Sequence, residues 1–220
     1  MRVVSYLLRV VLPDRPGALG AVATALGHAG GDILSVDIVE RSPGQATDDL
    51  VVELPADRLA DSLVTAAVSV PGVRVESIRP YAGVIDPFRD FELLEKLAVN
   101  RQEAPTILAD GVCRLFRAGW AIILQAPESD SGPAVVTARS VAAPELDTVN
   151  APWWPPSPPR PLDVEAAWAP SDWSNLGTEL AVVPLGKDAI LVGRPALRWL
   201  AGEIIRLSHL ASIAATVLHP

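Results

Sequence analysis

One stretch near the start of the chain, a polar turn that leads into a helix and a double glycine, most constrains the fold. Residues 12–40 read LPDRPGALGAVATALGHAGGDILSVDIVE. Asp14 suits a helix N-cap, and Pro16 suits the first helical turn, where its missing N–H costs nothing. Apolar residues recur at helical spacing over 17–29, and Gly30-Gly31 predicts the helix end. Alternating strands flank this helix, so the segment predicts a strand-helix-strand unit.

The next forty residues predict the rest of a small domain. SPGQ at 42–45 predicts a hairpin turn, a third strand follows, residues 59–67 have helical spacing, and VRVESIRPY predicts a fourth strand. The order β-α-β-β-α-β is the ferredoxin-like arrangement, an antiparallel sheet with both helices on one face. The other face keeps a partly apolar set, which predicts packing against another copy or another domain. This set is Leu7, Val11, Ile33, Val39 and Val51.

Residues 1–80 are therefore predicted to form one domain, and within them residues 4–80 resemble the ACT domain, a regulatory module of amino-acid metabolism. The resemblance rests on the first strand, the run Asp-Arg-Pro-Gly-Ala-Leu at 14–19, the helix after it, and Gly-Gly-Asp-Ile at 30–33 before the second strand. It covers about a third of the chain. The fold order alone carries less weight, because unrelated proteins share it.

The turn before the first helix is the predicted binding site. Backbone N–H groups at a helix N-terminus suit a carboxylate, and Gly17 lets a ligand approach the backbone. The resemblance implies that an effector amino acid lies between this turn and the second strand of a neighbouring copy, with an acidic side chain on its ammonium group. The first wall would be Asp14, Arg15, Gly17, Ala18 and Leu19, and the second Asp32, Ile33 and Leu34. The alternative is that the turn only shapes the helix entry.

The remainder of the chain has a different pattern. Residues 81–87 are predicted to be a linker, and 88–220 a second domain. Apolar residues at helical spacing over 91–116, with Thr106 as a cap, precede strands at 120–125, 134–141, 179–186 and 188–195 and a closing helix from Pro195. This order resembles the GAF domain, carried by residues 115–124 and by 191–217. The whole chain is thus predicted to be α+β, with a ferredoxin-like domain followed by a GAF-like antiparallel sheet flanked by helices.

A segment rich in proline and tryptophan, residues 151–175, interrupts the second domain. Seven prolines fall within 151–170, and four of the chain's six tryptophans lie at 153, 154, 168 and 173. Such proline density disfavours helices and central strands and favours extended structure. Two interpretations stay open. The tryptophans pack back over the domain's own sheet, or the segment docks a partner protein or covers a pocket.

Charge and cysteine content exclude several classes of function. The net charge of −8 argues against nucleic acid and against anionic membranes, which need a basic surface. We expect no stretch of 18 apolar residues to span a bilayer and no signal peptide. The single cysteine, Cys113, excludes a disulfide within the chain and is expected to be buried and inert. A cytoplasmic protein without cofactor or metal fits this composition best.

No arrangement of residues in the sequence predicts an enzyme. Neither a phosphate-binding glycine loop nor a nucleophile elbow is present, and Ser208 and His209 are helix neighbours that point apart. Asp48 and Asp49 are consecutive in a strand and are expected on opposite faces. The sequence therefore predicts a non-catalytic homodimer that senses a small metabolite, most simply an amino acid. The alternative is an interaction and dimerisation module without a small ligand, in which the Pro/Trp-rich segment docks a partner.

Overall fold

The computed structural model describes residues 3–81, 89–128 and 132–218. Within it the chain divides into two compact units, Met1–Asp86 and Pro87–Pro220. Apart from Tyr81, the predicted linker at 81–87 lies outside the described residues.

The first unit is a four-stranded antiparallel sheet with two helices. Its elements in chain order are β1 (Val3–Pro13), α1 (Ala18–His28), β2 (Asp32–Ser42), β3 (Gln45–Pro55), α2 (Asp61–Val68) and β4 (Arg74–Pro80). The strand order in the sheet is β2-β3-β1-β4, so β2 is an edge strand. This confirms the predicted ferredoxin-like order.

One face of this sheet packs against both helices. Leu8, Val10 and Leu12 of β1 alternate onto this face, where they meet the helical stripe Ala18, Val22 and Leu26 of α1. The core is completed by residues of β3, α2 and the loop before β4: Leu50, Val52, Leu54, Leu63, Ala67 and Val73. The strand period of two and the helix period of 3.6 therefore converge on one core, as the sequence indicated.

The prediction for the opposite face is only partly right. Leu7, Val11 and Val51 do lie there, and they are only 2–3% exposed. Ile33 was placed wrongly, because it pairs with Val52 and packs in the helix-side core. The cause is a register shift in β2 between Ile33 and Ser35, since one extra residue reverses the alternation of faces until the second shift, between Ile38 and Glu40.

A buried ion pair lies among these residues. The Arg9 guanidinium donates two hydrogen bonds of 2.8 Å to the Asp49 carboxylate. The two residues face each other across the β1–β3 ladder, and their side chains are 1% and 3% exposed. The Asp49 carboxylate is therefore paired with Arg9 on this face of the sheet. Its neighbour Asp48 points to the helix face, as alternation predicted.

A glycine is required just after α1, where the backbone packs closely against core side chains. Gly30 has φ +86°, and the N–H of Gly31 donates to the carbonyl of Leu26. A Cβ at Gly31 would lie 2.8 Å from a Val52 methyl and 3.2 Å from the Leu26 carbonyl. Gly20, in the first turn of α1, has no atom within 4 Å of the same position. The packing around Gly31 therefore requires glycine, whereas the space around Gly20 has room for a side chain.

We expect Gly31→Ala to destabilise the protein by about 1–3 kcal/mol, because the new methyl overpacks the core. Gly20→Ala is the matched control and should stabilise by about 0.5–1 kcal/mol, since alanine favours a helix interior. Urea unfolding measures both. Equal effects of the two substitutions would contradict the packing described for Gly31.

The second unit is a six-stranded antiparallel sheet with its three longest helices on one face. Its elements are α3 (Arg89–Val99), α4 (Ala104–Phe116), β5 (Trp120–Gln125), β6 (Pro133–Arg139), β7 (Thr148–Asn150), β8 (Arg160–Leu162), α5 (Ser171–Asn175), β9 (Thr178–Leu185), β10 (Asp188–Pro195) and α6 (Ala201–Leu218). The strand order is β7-β6-β5-β10-β9-β8. This sheet with flanking helices is the predicted GAF-like arrangement.

Two predicted helix starts in this unit are wrong. Thr106 does not cap α4, which begins at Ala104 after the N-cap Glu103. The closing helix does not begin at Pro195, because α6 starts at Ala201. Residues 196–200 instead form a loop whose carbonyls are bound by a buried arginine.

That arginine is Arg194, which holds the loop that leads into α6. Its guanidinium donates to the carbonyl of Leu197 at 2.7 Å, to the carbonyl of Arg198, and to both carboxylate oxygens of Glu203 at 2.9 and 2.6 Å. It also stacks 4.0 Å from the ring centroid of Trp199. The side chain is 1% exposed. The loop is therefore held out of the helix by hydrogen bonds that a sequence pattern does not reveal.

We expect Arg194→Met to destabilise the protein by about 3–5 kcal/mol, because Glu203 and the loop carbonyls lose their partner. Arg206→Met is the matched control. Arg206 pairs with Asp90 at 2.7 Å at the surface, and its loss should cost less than about 1 kcal/mol. Calorimetric unfolding of both variants checks the difference, and a small effect at Arg194 would refute the role given to it.

Among the residues that the structure describes, one helix, α6, is long and apolar enough to cross a membrane by length and composition. No such segment was expected from the sequence, because no run of about 18 apolar residues is present, and Glu203 and Arg206 fall within this helix. Ile204, Leu207, Leu210, Ala211 and Ala214 of this helix are buried against α3, α4 and the sheet. The core helix of a globular unit passes the same test.

Candidate functional site

The candidate site is built on the turn between β1 and α1. The Asp14 N–H donates to the Gly44 carbonyl at 3.1 Å, which ties the turn to the β2–β3 hairpin. Gly17 occupies the N-cap position with φ +85°, and no side chain caps the helix. The predicted N-cap Asp14 and the predicted helical Pro16 therefore both lie before the helix. The reason is that Gly17 alone readily adopts the left-handed conformation required there.

The turn is open to solvent. Residues 14–17 are exposed, and a Cβ at Gly17 would have no atom within 4 Å. Ala18 is buried and Leu19 is half-buried against the core, so these two residues offer the turn their backbone rather than their side chains. An uncapped helix N-terminus beside an open glycine can accept an anionic group.

The two predicted walls do not meet within one copy. Pro13, at the end of β1, pairs with Gln45 at the start of β3. Asp32 pairs with Glu53, near the other end of β3. Eight residues of strand separate Gln45 from Glu53, which is roughly 26 Å at about 3.3 Å per residue. Asp32, Ile33 and Leu34 therefore lie at the opposite end of the sheet from the turn.

A buried carboxylate near the turn was missed as a site residue. Asp48 is 3% exposed and lies on β3, opposite Val10 of β1 and Ile38 of β2. Within the part of the chain that the structure describes, its Oδ1 atom has no hydrogen-bond partner. Burial raises the pKa of Asp48 above 3.8, Arg41 opposes this shift, and the charges of Asp49 and Asp14 add to it. The sequence already indicated such a residue. Side chains alternate between the two faces of a strand, so one of the two consecutive aspartates had to face the core.

The ACT family model matches residues 6–72. The chain carries an ACT domain. An uncharacterised protein from Thermotoga maritima is 26% identical, with 36% of this chain and 98% of that chain covered and a TM-score of 0.29. The GAF domain of a phosphoenolpyruvate-protein phosphotransferase from Coxiella burnetii is 9% identical, with 59% and 92% covered and a TM-score of 0.44.

The corresponding GAF domain from Acinetobacter is 10% identical, with 61% of this chain and 94% of that chain covered and a TM-score of 0.43. No curated protein sequence matches the chain significantly.

The edge of the ACT domain's sheet carries exposed apolar residues. Leu34, Val36 and Ile38 of β2 are 40%, 39% and 53% exposed. An edge strand presents backbone N–H and C=O groups to any strand that approaches it, and apolar side chains favour such pairing. This edge is thus a better candidate for contact with a second copy than the buried sheet face.

In the second unit, the Pro/Trp-rich segment covers one face of the sheet. Trp153, Trp154, Trp168 and Trp173 pack with sheet residues in one apolar cluster. Ring centroids lie 4.9 Å apart for Trp120 and Trp173, and 5.8 Å apart for Trp153 and Trp168. Arg160 donates to the Trp153 carbonyl at 2.5 Å and to the Pro158 carbonyl at 2.7 Å. The observed packing is the first of the two interpretations left open by the sequence.

Two short regular elements that were not predicted, β8 and α5, form within the proline-rich segment. β8 contains Pro161 but lies at the edge of the sheet, where a missing N–H is tolerated. The short helix α5 brings Trp173 onto the sheet. The segment is thus part of this unit's core.

Other candidate chemical groups do not assemble. Cys113 lies in α4, half-buried, and burial raises the pKa of its thiol, which opposes formation of a reactive thiolate. Among residues 3–81, 89–128 and 132–218, no group of three or more metal-binding side chains is present. His28 and His209 are exposed on separate helices. The site with defined geometry is therefore the ACT-domain turn.

We expect Trp173→Ala to destabilise the protein by about 3–5 kcal/mol, because its ring is 5% exposed and fills the layer over the sheet. Trp154→Ala, at a half-buried position, should cost less. Denaturant unfolding followed by circular dichroism compares the two. A negligible loss at Trp173 would favour the docking interpretation of this segment.

Proposed function

We propose that this protein is a non-catalytic regulatory sensor that binds an amino acid at an interface between two copies of its ACT domain. The observation that carries the proposal is the open, uncapped N-terminus of α1 beside Gly17. ACT domains are regulatory modules that bind small ligands, and this turn has the geometry to receive a carboxylate. Acidic side chains near the turn, Asp14 among them, suit the ammonium group of an amino acid. The site therefore fits a zwitterion, which carries both a carboxylate and an ammonium group.

Two copies would complete the site. Antiparallel pairing of β2 with β2 of a second copy places the Asp32 end of one strand beside the Ser42 end of the other. The Ser42 end lies next to the turn, because Asp14 bonds to Gly44 in the hairpin that follows. Such pairing brings the second wall of one copy to the first wall of the other. It also covers the exposed apolar edge of β2.

Ligand binding across this seam would favour one relative placement of the copies. A ligand shifts such an equilibrium only by its difference in affinity for the two placements. The GAF-like unit would then carry the change to a downstream process. We propose that the protein acts in the cytoplasm and performs no catalysis.

The competing function is an interaction module without a small ligand. It is favoured by the exposed apolar edge of β2, which suits pairing between copies whether or not a ligand is present. The Pro/Trp-rich segment supports this alternative less than the sequence suggested, because its tryptophans pack in the unit's own core.

We expect at least one of the twenty amino acids to raise the melting temperature, because a ligand that binds only the native state stabilises it by mass action. At a concentration of 100 Kd the gain is about 2.7 kcal/mol. A thermal-shift screen measures it. The absence of any shift, with a dimer in light scattering, would favour the interaction module.

We expect Gly17→Asn to abolish the thermal shift caused by an amino acid, because the added side chain occupies the open space at the turn. Gly177→Asn is the matched control, since Gly177 also has positive φ, +61°, and no atom within 4 Å of a Cβ. Both variants carry a similar left-handed strain, and asparagine tolerates that conformation. If Gly17→Asn responded like the control, the turn would not be the binding site.

A further inference from the structure

We propose that Asp48, buried under α1, is the residue that binds the ammonium group of the ligand. This inference rests on the proposed function and assigns a role at that same site. It distinguishes Asp48 from the exposed carboxylates of Asp14 and Asp32, which the sequence suggests first.

The strand register places Asp48 at the correct end of the sheet. It lies three residues from Gln45, which pairs with Pro13 at the start of the turn. Its neighbours Ala46 and Leu50 share its face, and Leu50 packs in the core with α1. Val22 and Leu26 of α1 lie in the same buried core as Leu50, so α1 packs on the face of β3 that also carries Asp48. The Asp48 carboxylate is thus on the face that α1 covers, at the end where α1 begins.

One oxygen of the buried Asp48 carboxylate lacks a hydrogen-bond partner among the described residues. Asp49, the adjacent acid, is neutralised by Arg9 on the opposite face. Within the described residues Asp48 Oδ1 accepts no hydrogen bond. A buried charge without a partner is costly, and an incoming ammonium group repays that cost with a strong charge-assisted hydrogen bond. The charged groups around Asp48 are Arg41, Asp49 and Asp14, two carboxylates and one guanidinium.

The shortest approach to this carboxylate across the strand register is from the edge strand β2. Ile38, which pairs with Asp48 on β2, is 53% exposed. The inference requires this surface side chain to move aside when a ligand binds, so that the carboxylate is reached from the edge where a second copy is proposed to lie. The ligand's carboxylate would then contact the start of α1 while its ammonium group reaches Asp48.

The test uses the amino acid that gives the largest thermal shift with the full-length protein. Calorimetry then measures its Kd for the unaltered protein, for Asp48→Asn and for the control Asp57→Asn, an exposed acid in the same domain. We expect Asp48→Asn to weaken binding by roughly 10- to 100-fold, as for loss of a charged hydrogen bond. Asp57→Asn should bind normally. The matching α-hydroxy acid, which lacks the ammonium group, should bind the unaltered protein and Asp48→Asn equally weakly.

Thermal unfolding of the ligand-free protein separates this role from a structural one. Because the pKa of Asp48 is raised, its charged form costs stability at neutral pH, and this cost disappears below pH 3.8. Asp48→Asn should therefore keep or raise the melting temperature at neutral pH. A lowered melting temperature with unchanged affinity would mean that Asp48 serves the fold, and would overturn the inference.

The remaining outcomes are also decisive. If Asp48→Asn binds as tightly as the unaltered protein, the inference is wrong and the proposed function stands. If the unaltered protein binds no amino acid, both are wrong. Asp48→Ala removes the same carboxylate without adding a buried amide, so it replaces Asp48→Asn if that variant fails to fold.

Discussion

The direction of an antiparallel sheet places a limit on where this protein can bind a ligand. The turn before α1 lies at one end of the first sheet, and the start of β2 lies at the other, roughly 26 Å away at ordinary strand rise. A small molecule cannot touch both within one copy. If both walls contribute, the site has to form between copies, and ligand binding is then coupled to how the copies pair.

In the proposed dimer, this coupling would give the ACT domain a physical means of regulation. The turn supplies partial positive charge from the helix N-terminus, and its glycine leaves the backbone open. The edge of β2 supplies an apolar surface for pairing. The buried Asp48 carboxyl group supplies an oxygen without a hydrogen-bond partner on the helix side of the same sheet. A zwitterion matches the first and last of these groups, which is why an amino acid is the ligand we propose.

Much of this fold could be predicted from local sequence patterns, and the exceptions have specific causes. Alternation located β1 and β3, helical spacing located α1, and the double glycine located its end. The register shifts in β2 were not predictable, because an extra residue in a bulge has no marker in the sequence, and Ile33 was assigned to the wrong face as a result. The start of α6 was misplaced because Arg194 binds loop carbonyls that only the folded chain brings to it.

Mixing two variants tests the intermolecular site most directly. One variant carries Gly17→Asn and has a blocked turn; the other carries Asp32→Phe and has a blocked second wall. The account predicts that neither binds the amino acid alone. After unfolding and refolding together in equal amounts, half of the dimers contain both variants, and each of these has one intact site. Calorimetry should then give about a quarter of the normal stoichiometry in a symmetric dimer. No recovery of binding in a mixture shown to contain mixed dimers would contradict the account.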